Sequence, residues 1–318
     1  MKPTDPKSLT ESAAGVFTYR SYGLVIRSEI VLPEFDPATP GGAPVQVAIR
    51  RGPVALPEGV RALGAWFEFS DSGVRFWWQA VGGFAVSADG SEVTVEYGAG
   101  VSDDLIAFPL LGPVLSEVLR RQGLFVLHAS SVAFEGQGLA LMADKGTGKS
   151  TTATALLRAG ARLLADDLVA IRPDQNSIVP GFGQVKLAEE ALTQLPEGSA
   201  VPRPHVHDQI DKIRVLVPGL MAPEPVPARR LYVLVRGGGS EARIERPATG
   251  EMVPALLRFA YADRFGRAGP QGAEAARQFR DAVAVARHNA VRRLILPDGV
   301  AELDKVIAAI RADLGEAP

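Results

Sequence analysis

A glycine-rich stretch near the middle of the chain places the strongest constraint on its fold. Residues 139–150 read LALMADKGTGKS, an apolar run that leads into small residues and ends in Gly-Lys-Ser. The helical segment TTATALLRAG follows and ends at Gly160. This order of strand, glycine-rich turn and helix is the pattern of a phosphate-binding loop. In such a loop the backbone N–H groups point at an anion, and the helix N-terminus adds partial positive charge.

The loop offers ligands for a nucleotide and for its metal ion. Lys149 can reach the outer phosphates, and Ser150 can place its hydroxyl on magnesium. Ala143 replaces the first glycine of the usual motif, which suits a turn with negative φ. The alternative to a phosphate-binding loop is a chance occurrence of GTGKS in a glycine-rich loop. We predict nucleotide binding by one continuous run of residues: Asp144, Lys145, Gly146, Thr147, Gly148, Lys149, Ser150 and Thr151.

Two adjacent carboxylates follow the loop helix inside an apolar stretch. Residues 161–171 read ARLLADDLVAI, so Asp166 and Asp167 interrupt a predicted strand. Burial of an ionised carboxylate is costly without a partner, and a metal ion and a substrate hydroxyl would be suitable partners. Because side chains alternate along a strand, the pair should point to opposite sides unless the strand ends or bulges between them. The alternative is that the two aspartates belong to a turn at the surface, at the end of the strand, and have no ligand.

Composition restricts the partners and the compartment. The 318 residues include 34 Lys and Arg against 36 Asp and Glu, so no overall field favours nucleic acid or an anionic membrane. The absence of cysteine excludes disulfides, thiolate metal sites and cysteine nucleophiles. The N-terminus lacks an apolar segment of signal-peptide type, and the longest apolar run, around residues 105–115, is short and interrupted by proline. We expect a cytoplasmic protein, and a homo-oligomer remains open.

The chain is long enough for two domains, and we place the boundary near residue 100. Residues 1–100 form a predicted β-rich domain, because WFEF with VRFWWQA and FAVS with EVTVEY have the pattern of hairpins. The three tryptophans fall here and are predicted to be core residues. Residues 101–318 form the second predicted domain. Its first helix, residues 102–121, is expected to pack on that second domain.

Other polar residues of the second domain have two interpretations each. A predicted hairpin over residues 125–142 places His128 one strand from the nucleotide, or else makes it a hydrogen-bonded core histidine. Lys212 and Arg214 open a strand, where they could bring positive charge to a phosphate or be ordinary edge residues. A further polar cluster contains His205, His207, Asp208 and Asp211. We interpret it as a mobile polar loop in preference to a metal site, because no second group of ligands has matching spacing.

Residues 124–171 taken together resemble the catalytic core of HPr kinase and its relatives. There too a Leu-His pair precedes a hairpin, a phosphate loop ends in Gly-Lys-Ser, and an Ala-Asp-Asp strand comes about sixteen residues later. The resemblance continues more weakly through PGFGQVKL, DKIRV and RRLYVLV. The N-terminal YGLVIRSEIVLPEF also resembles the opening of HPr-kinase-like proteins from lasso-peptide gene clusters, which phosphorylate a precursor peptide on serine.

The resemblance implies a fold and a set of roles. The fold is an α/β phosphate-loop kinase core of the phosphoenolpyruvate-carboxykinase-like type with a mixed sheet, and the cofactors are ATP and Mg²⁺. In this comparison Asp166 is the base, Asp167 and Ser150 assist the metal, and His128 hydrogen-bonds near the carboxylates. Lys212 matches a basic residue of the relatives. Thr151 in place of glutamate and the absent EVRGxG-type signature put HPr itself and reverse phosphorolysis in doubt.

The function predicted from sequence is therefore an ATP-dependent serine kinase. Its acceptor is predicted to be a peptide or a small protein that the β-rich N-terminal domain recognises, with no nucleic-acid or membrane partner. Two alternatives stay open. One is a nucleotide-binding regulatory module that has lost transfer, and the other is a kinase of a small hydroxylated metabolite.

Overall fold

The structure is a computed structural model that describes residues 15–39, 41–187, 192, 195–203, 213–288 and 290–315. The chain has a mixed α/β architecture and divides into two compact units. The first unit contains residues up to Gly123 together with Arg264–Glu274. The second contains Leu124–Asp263 and Ala275–Pro318. None of the helices in the described residues combines the length and the apolar character needed to cross a bilayer.

The first unit is built on an eight-stranded sheet of order β3-β1-β2-β4-β8-β7-β6-β5. Strand β4 runs parallel to β2 and β8, and the other neighbours are antiparallel. The predicted hairpins are present as β5–β6 and β7–β8. The strands are β1 Phe17–Ser21, β2 Leu24–Ser28, β3 Asp36–Pro37, β4 Val47–Arg51, β5 Ala65–Ser70, β6 Gly73–Trp78, β7 Gly82–Ser87 and β8 Glu92–Glu96.

The helical run after β8 belongs to the first unit. It comprises α1, Asp103–Pro109, a π-helical turn, and α2, Leu115–Arg121. Ser102 begins α1 by accepting a hydrogen bond from the Leu105 N–H at 3.2 Å. Apolar side chains of this run surround one small space together with sheet residues such as Ile49 and Val93. The sequence placed the boundary near residue 100 and the helix on the second domain, whereas the structure groups the helix with the first sheet, because its apolar face covers that sheet.

Aromatic residues connect the returning segment Arg264–Glu274 to the first sheet. The Phe265 ring lies 4.9 Å from Phe69 and 5.5 Å from Phe67, between ring centroids. Trp78 stacks on Phe76 at 5.6 Å. All three tryptophans are only half-buried, so the predicted core role holds in part: the fully buried aromatic residues of this sheet are Tyr19, Phe76 and Phe84.

The second unit is built on a mixed nine-stranded sheet and a small three-stranded sheet of order β15-β17-β16. Its strands are β9 Phe125–Leu127, β10 Ala129–Phe134, β11 Gln137–Met142, β12 Arg162–Asp166, β13 Val169–Arg172, β14 Ser177–Val179, β15 Gln184–Leu187, β16 Val201–Pro202, β17 Ile213–Leu216, β18 Val226–Arg236, β19 Arg243–Glu245 and β20 Ala290–Leu296. The remaining helices are α3 Lys149–Arg158, α4 Thr249–Arg258, α5 Gly272–His288 and α6 Leu303–Gly315.

The large sheet has the order β12-β10-β11-β18-β14-β13-β9, with β20 beside β18 and β19 beside β20. Strand β18 runs parallel to β11 on one side and to β20 on the other, while the remaining pairs are antiparallel. The mixed sheet is therefore as predicted. Parallel strands end at the same edge, so the residues that follow β11, β18 and β20 lie at one edge of the sheet.

A shared core holds α3 and α6 against this sheet. Leu141 of β11, Leu156 of α3 and Ile310 of α6 are fully buried members of it. Burial of each such side chain stabilises the fold by roughly 1.5–3 kcal/mol. The helix that starts at the glycine-rich loop is thereby packed against the core through Ala153, Leu156 and Leu157.

A buried ionic cluster also joins α6 to the sheet. The Asp313 carboxylate accepts hydrogen bonds from Arg230 Nε at 2.9 Å and from the Tyr232 hydroxyl at 2.7 Å, and Arg292 Nε lies 3.4 Å from it. Burial, together with the hydrogen bond to Asp313, raises the pKa of Tyr232 above its usual range. Removal of one member would leave buried charges uncompensated.

Candidate functional site

The glycine-rich loop connects β11 to α3, as the sequence predicts. Strand β11 ends at Met142, and α3 begins at Lys149. Gly146 has φ +84° and Gly148 has φ +120°, conformations in which a side chain is strained. Ala143 is not among the described residues with positive φ, so alanine is tolerated at the first position of the motif. The two remaining glycines lie where the backbone requires them.

The loop presents free backbone donors beside the beginning of a helix. The Thr147 N–H donates to Asp144 O at 3.2 Å, whereas the N–H groups of Gly148 and Lys149 have no acceptor among the described residues. Asp144, Lys145 and Gly146 are exposed. Ser150 and Thr151 are half-buried in the first turn of α3. Unpaired amides at a helix N-terminus are suited to an anion.

The two carboxylates lie at a break between strands. Strand β12 ends at Asp166, Asp167 has φ +67°, and β13 begins only at Val169. A left-handed conformation is uncommon outside glycine, although aspartate adopts it more readily than most residues. The strand therefore ends between the two carboxylates. This is the condition under which the two side chains need not point to opposite sides of the sheet. Both side chains consequently reach the same lysine.

Lys149 joins the loop to the carboxylates. Its Nζ lies 3.5 Å from Asp166 Oδ1 and 3.7 Å from Asp167 Oδ1. It also donates a hydrogen bond to Ser130 Oγ at 3.2 Å. The Ser130 hydroxyl in turn donates to Asp166 Oδ1, because Ser130 and Asp166 are directly paired in the β10–β12 ladder. The loop and the carboxylate pair thus form one site.

Lys186 of β15 completes the polar cluster and was not singled out from the sequence. Its Nζ forms an ion pair with Asp167 Oδ2 at 2.6 Å, and its backbone N–H donates to Asp166 Oδ2 at 2.9 Å. Each carboxylate therefore receives one contact from this residue. Both oxygens of the buried Asp166 are occupied by partners within the fold, whereas Asp167 is more accessible.

The charges around Asp167 determine its ionisation. Burial alone would raise the pKa of this carboxyl group, but Lys186, Lys149 and His128 outweigh that effect and hold the pKa well below its ordinary value. Asp167 is consequently ionised at neutral pH. An ionised carboxylate can accept a hydrogen bond from a hydroxyl group or bind a cation.

His128 lies beside Asp167, between β9 and β10. Its Nδ1 is 3.2 Å from Asp167 O and 4.0 Å from Asp167 Oδ1. Its backbone N–H donates to Phe259 O at 2.8 Å, and its ring meets Tyr261 edge-on at 6.0 Å. The histidine is half-buried, so it is not a core residue, and its Nδ1 faces Asp167.

The structure describes only some of the other polar residues that the sequence analysis considered. Lys212 lies outside the described residues, as does the cluster His205, His207, Asp208 and Asp211. Arg214 is buried in β17 and so is not an ordinary solvated edge residue. Arg258, at the end of α4, forms an exposed ion pair with Asp144 of the loop at 2.7 Å, which the sequence did not reveal.

The signals for the missed residues were of unequal strength. Lys186 is a lone cation in the apolar strand QVKL, a pattern that indicates a buried counter-ion and could have been noticed. The contact of Ser130 with Asp166 depends on the register between β10 and β12. The contact of Arg258 with Asp144 depends on where α4 ends. Strand register and helix placement of this kind leave no mark in the local sequence.

The residues present fit a nucleotide and a divalent cation. The open loop, its free amides and Lys149 are suited to phosphates, and Ser150 with one carboxylate would supply protein ligands for Mg²⁺, which usually keeps water and phosphate oxygens as its other ligands. Within the described residues no group of three or more histidine, cysteine or carboxylate side chains could hold a metal ion without such help.

Comparison with known proteins adds one distant likeness. No protein-family model matches the chain, and no curated protein matches it in sequence. Solved structures do match, and one of them is the HPr(Ser) kinase/phosphatase from Coxiella burnetii. That match has 12% identity and a TM-score of 0.29, and it covers 59% of this chain and 95% of the other. At this level the likeness says nothing about substrate or reaction.

Proposed function

We propose that the chain is an ATP-dependent phosphotransferase of HPr-kinase-like type, which transfers the γ-phosphoryl group to a serine hydroxyl of a peptide or small protein. One observation carries the proposal: Lys149, at the start of the loop helix, lies within 3.7 Å of both Asp166 and Asp167. A phosphate-binding loop and a carboxylate pair in one site are the two parts that phosphoryl transfer to a hydroxyl group requires.

The chemistry is positional and electrostatic. Lys149 and the amides of Gly148 and Lys149 offset negative charge on the phosphates, while a carboxylate orients the acceptor hydroxyl. ATP, when bound, would supply the γ-phosphoryl group and leave as ADP once the bond to the acceptor oxygen forms, and Mg²⁺ would offset negative charge on the phosphates. Asp166 is the base that the resemblance implies. Asp167 is a second candidate for that role, since it is the more accessible carboxylate and is ionised at neutral pH.

The positions of Lys186 and His128 suggest supporting roles. Lys186 contacts both aspartates, so it holds the two carboxylates at a fixed spacing. His128 adds a contact to the backbone oxygen of Asp167. When Lys149 turns toward phosphate, Lys186 still balances one negative charge. The carboxylate pair can therefore stay ionised until one of the two accepts the proton of the acceptor hydroxyl.

The acceptor class follows from the sequence resemblance and remains part of the proposal. The β-rich first unit is the candidate for recognising a peptide. A kinase of a small hydroxylated metabolite is the nearest rival, since the same site would serve a free hydroxyl group. A regulatory module without transfer is the rival of a different class, and the presence of both aspartates beside Lys149 argues against it.

Mass spectrometry of an acceptor panel tests the proposal. The panel contains HPr, serine-ended precursor peptides encoded beside the gene, and free serine, each with the protein, ATP and Mg²⁺. We expect a gain of one phosphate on a peptide. Asp166→Asn should lower the rate by about 10²- to 10⁴-fold, the range for a general base, with ATP binding retained. Retained transfer would remove Asp166 from the base role.

The same panel separates the rival functions. Phosphate on free serine alone would favour the metabolite kinase. ATP binding without transfer to any acceptor would favour the regulatory module. A Lys149→Met variant that neither binds ATP nor transfers phosphate would connect whichever activity is found to the loop.

A further inference from the structure

Arg236, an arginine outside the carboxylate cluster, lies beside the glycine-rich loop. Arg236 is the last residue of β18, the strand parallel to β11. Met142, the last residue of β11, is paired with Val233. Because the two strands run in the same direction, the residues after Met142 and the residues after Val233 emerge side by side at one edge of the sheet.

The arginine head group is close to the last glycine of the loop. A Cβ atom built on Gly148 would lie 3.8 Å from Arg236 Nη2 and 3.3 Å from Leu296 Cδ1. Gly148 immediately precedes Lys149, the first residue of α3. The guanidinium group is therefore adjacent to the free amides of Gly148 and Lys149, where an anion would bind.

The charge of Arg236 is not balanced inside the fold. Its side chain is exposed and has no hydrogen bond or ion pair with any residue in the described part of the chain. Nearby cations differ in this respect. Lys149 and Lys186 contact carboxylates, and Arg258 is paired with Asp144. Arg236 can therefore bind an anion without first breaking an ion pair.

We propose that Arg236 binds the phosphate oxygens of the nucleotide as a second cationic ligand beside Lys149. The inference rests on the proposed function for its ligand, a nucleoside di- or triphosphate. A guanidinium group stays charged at all physiological pH values and offers a planar fork that matches two phosphate oxygens. Its position at the end of a central strand, paired with Leu296 of β20, keeps the head group near the loop.

Titration calorimetry on the full chain tests this assignment. The probes are ATP, ADP, AMP and inorganic tripolyphosphate, each with Mg²⁺. We expect Arg236→Gln to weaken ATP and tripolyphosphate binding about ten-fold or more, as for the loss of a hydrogen bond to a charged group. AMP should bind with little change. Arg236→Lys should recover part of the affinity, because it keeps the charge and loses the fork.

Arg287→Gln is the matched control. Arg287 is an exposed arginine near the end of α5, three residues before Ala290, which is paired with Arg230 in the middle of β18. At about 3.3 Å per strand residue, roughly 20 Å of strand separates Arg230 from Arg236. The control removes the same charge far from the loop. Its ATP affinity should equal that of the unaltered chain, and thermal unfolding should show that both variants remain folded.

The outcomes separate this assignment from the function itself. Unchanged ATP and tripolyphosphate affinity in Arg236→Gln would overturn the role of Arg236, whatever the transfer assay shows. ATP binding that depends on Arg236, without transfer to any acceptor, would support the assignment while the kinase proposal fails. Failure of the unaltered chain to bind ATP or tripolyphosphate would overturn both.

Discussion

Asp167 gives a sharp test of the site, because its charge and its backbone can be changed separately. Its carboxylate lies 2.6 Å from Lys186 Nζ and 3.7 Å from Lys149 Nζ, and its φ is +67°. Asparagine keeps the size of the side chain and adopts the left-handed conformation readily. Asp167→Asn therefore removes the charge without adding backbone strain.

The structure sets the size of the effect. Asp167 and Lys186 have side-chain exposures of 28% and 24%, so the pair is neither fully exposed nor fully buried. Exposed pairs contribute about 0–1 kcal/mol, and breaking a buried pair costs about 3–5 kcal/mol. We expect Asp167→Asn to destabilise the second unit by roughly 1–3 kcal/mol at pH 7.

The effect should depend on pH in one direction. The pKa of Asp167 is held below its ordinary value in the folded chain, whereas the pKa of an aspartate in an unfolded chain is about 3.9. The carboxylate therefore contributes its stability above roughly pH 4, and that contribution is lost as the pH falls toward the folded-state pKa. The difference between the unaltered chain and Asp167→Asn should be constant from about pH 7 to 5 and should narrow below pH 4.

Hydrogen–deuterium exchange of peptides covering β12 and β13 measures this difference locally. Tryptophan fluorescence would not serve, since all three tryptophans belong to the first unit. Asp174→Asn is the control, because Asp174 is an exposed aspartate in the turn after β13 and should change stability by no more than about 0.5 kcal/mol. Unchanged protection in Asp167→Asn at pH 7, or an equal difference at pH 7 and 3.5, would refute the ion-pair account.

Two further predictions concern the loop and the buried cluster. Gly148→Ala should weaken ATP binding in calorimetry more than Gly146→Ala. Gly148 has the φ angle that is less accessible to alanine, and its added Cβ would meet Leu296, whereas a Cβ on Gly146 would have open space. Equal losses of affinity in the two variants would contradict this. Asp313→Ala should lower stability by about 3–5 kcal/mol in thermal unfolding, because it leaves buried arginines uncompensated. The exposed Asp304 of the same helix is the control, and a similar loss in Asp304→Ala would contradict the account.

The parts of the fold that depend on neighbouring residues could be predicted from the sequence. Residues 139–150 contain an apolar run, two glycines with positive φ and a helix start, so β11, the loop and the beginning of α3 follow from local chemistry. The hairpins of the first unit follow in the same way from their turn residues. The break between Asp166 and Asp167 entered the prediction only as a condition: the two side chains point to opposite sides unless the strand ends or bulges between them.

The parts that depend on distant contacts could not be predicted. The helical run at residues 103–121 has an apolar face, which shows that the run is buried but not what covers it; the structure places that face on the first sheet. Lys186 meets the carboxylates through a contact between two different sheets. Ser130 reaches Asp166 through strand register alone. In each case the local sequence is compatible with several partners.

The return of residues 264–274 to the first unit has a consequence for how the chain is made. Phe265 and Glu274 contribute contacts to a unit whose other residues end at Gly123. About 140 residues of the second unit are therefore synthesised between the two parts of the first. On a ribosome the first sheet can begin to form early, but it acquires its last aromatic and ionic contacts only after most of the second unit has emerged. A fragment that stops at Gly123 should accordingly expose the phenylalanine cluster of Phe67, Phe69 and Phe76 and aggregate more readily than the full chain.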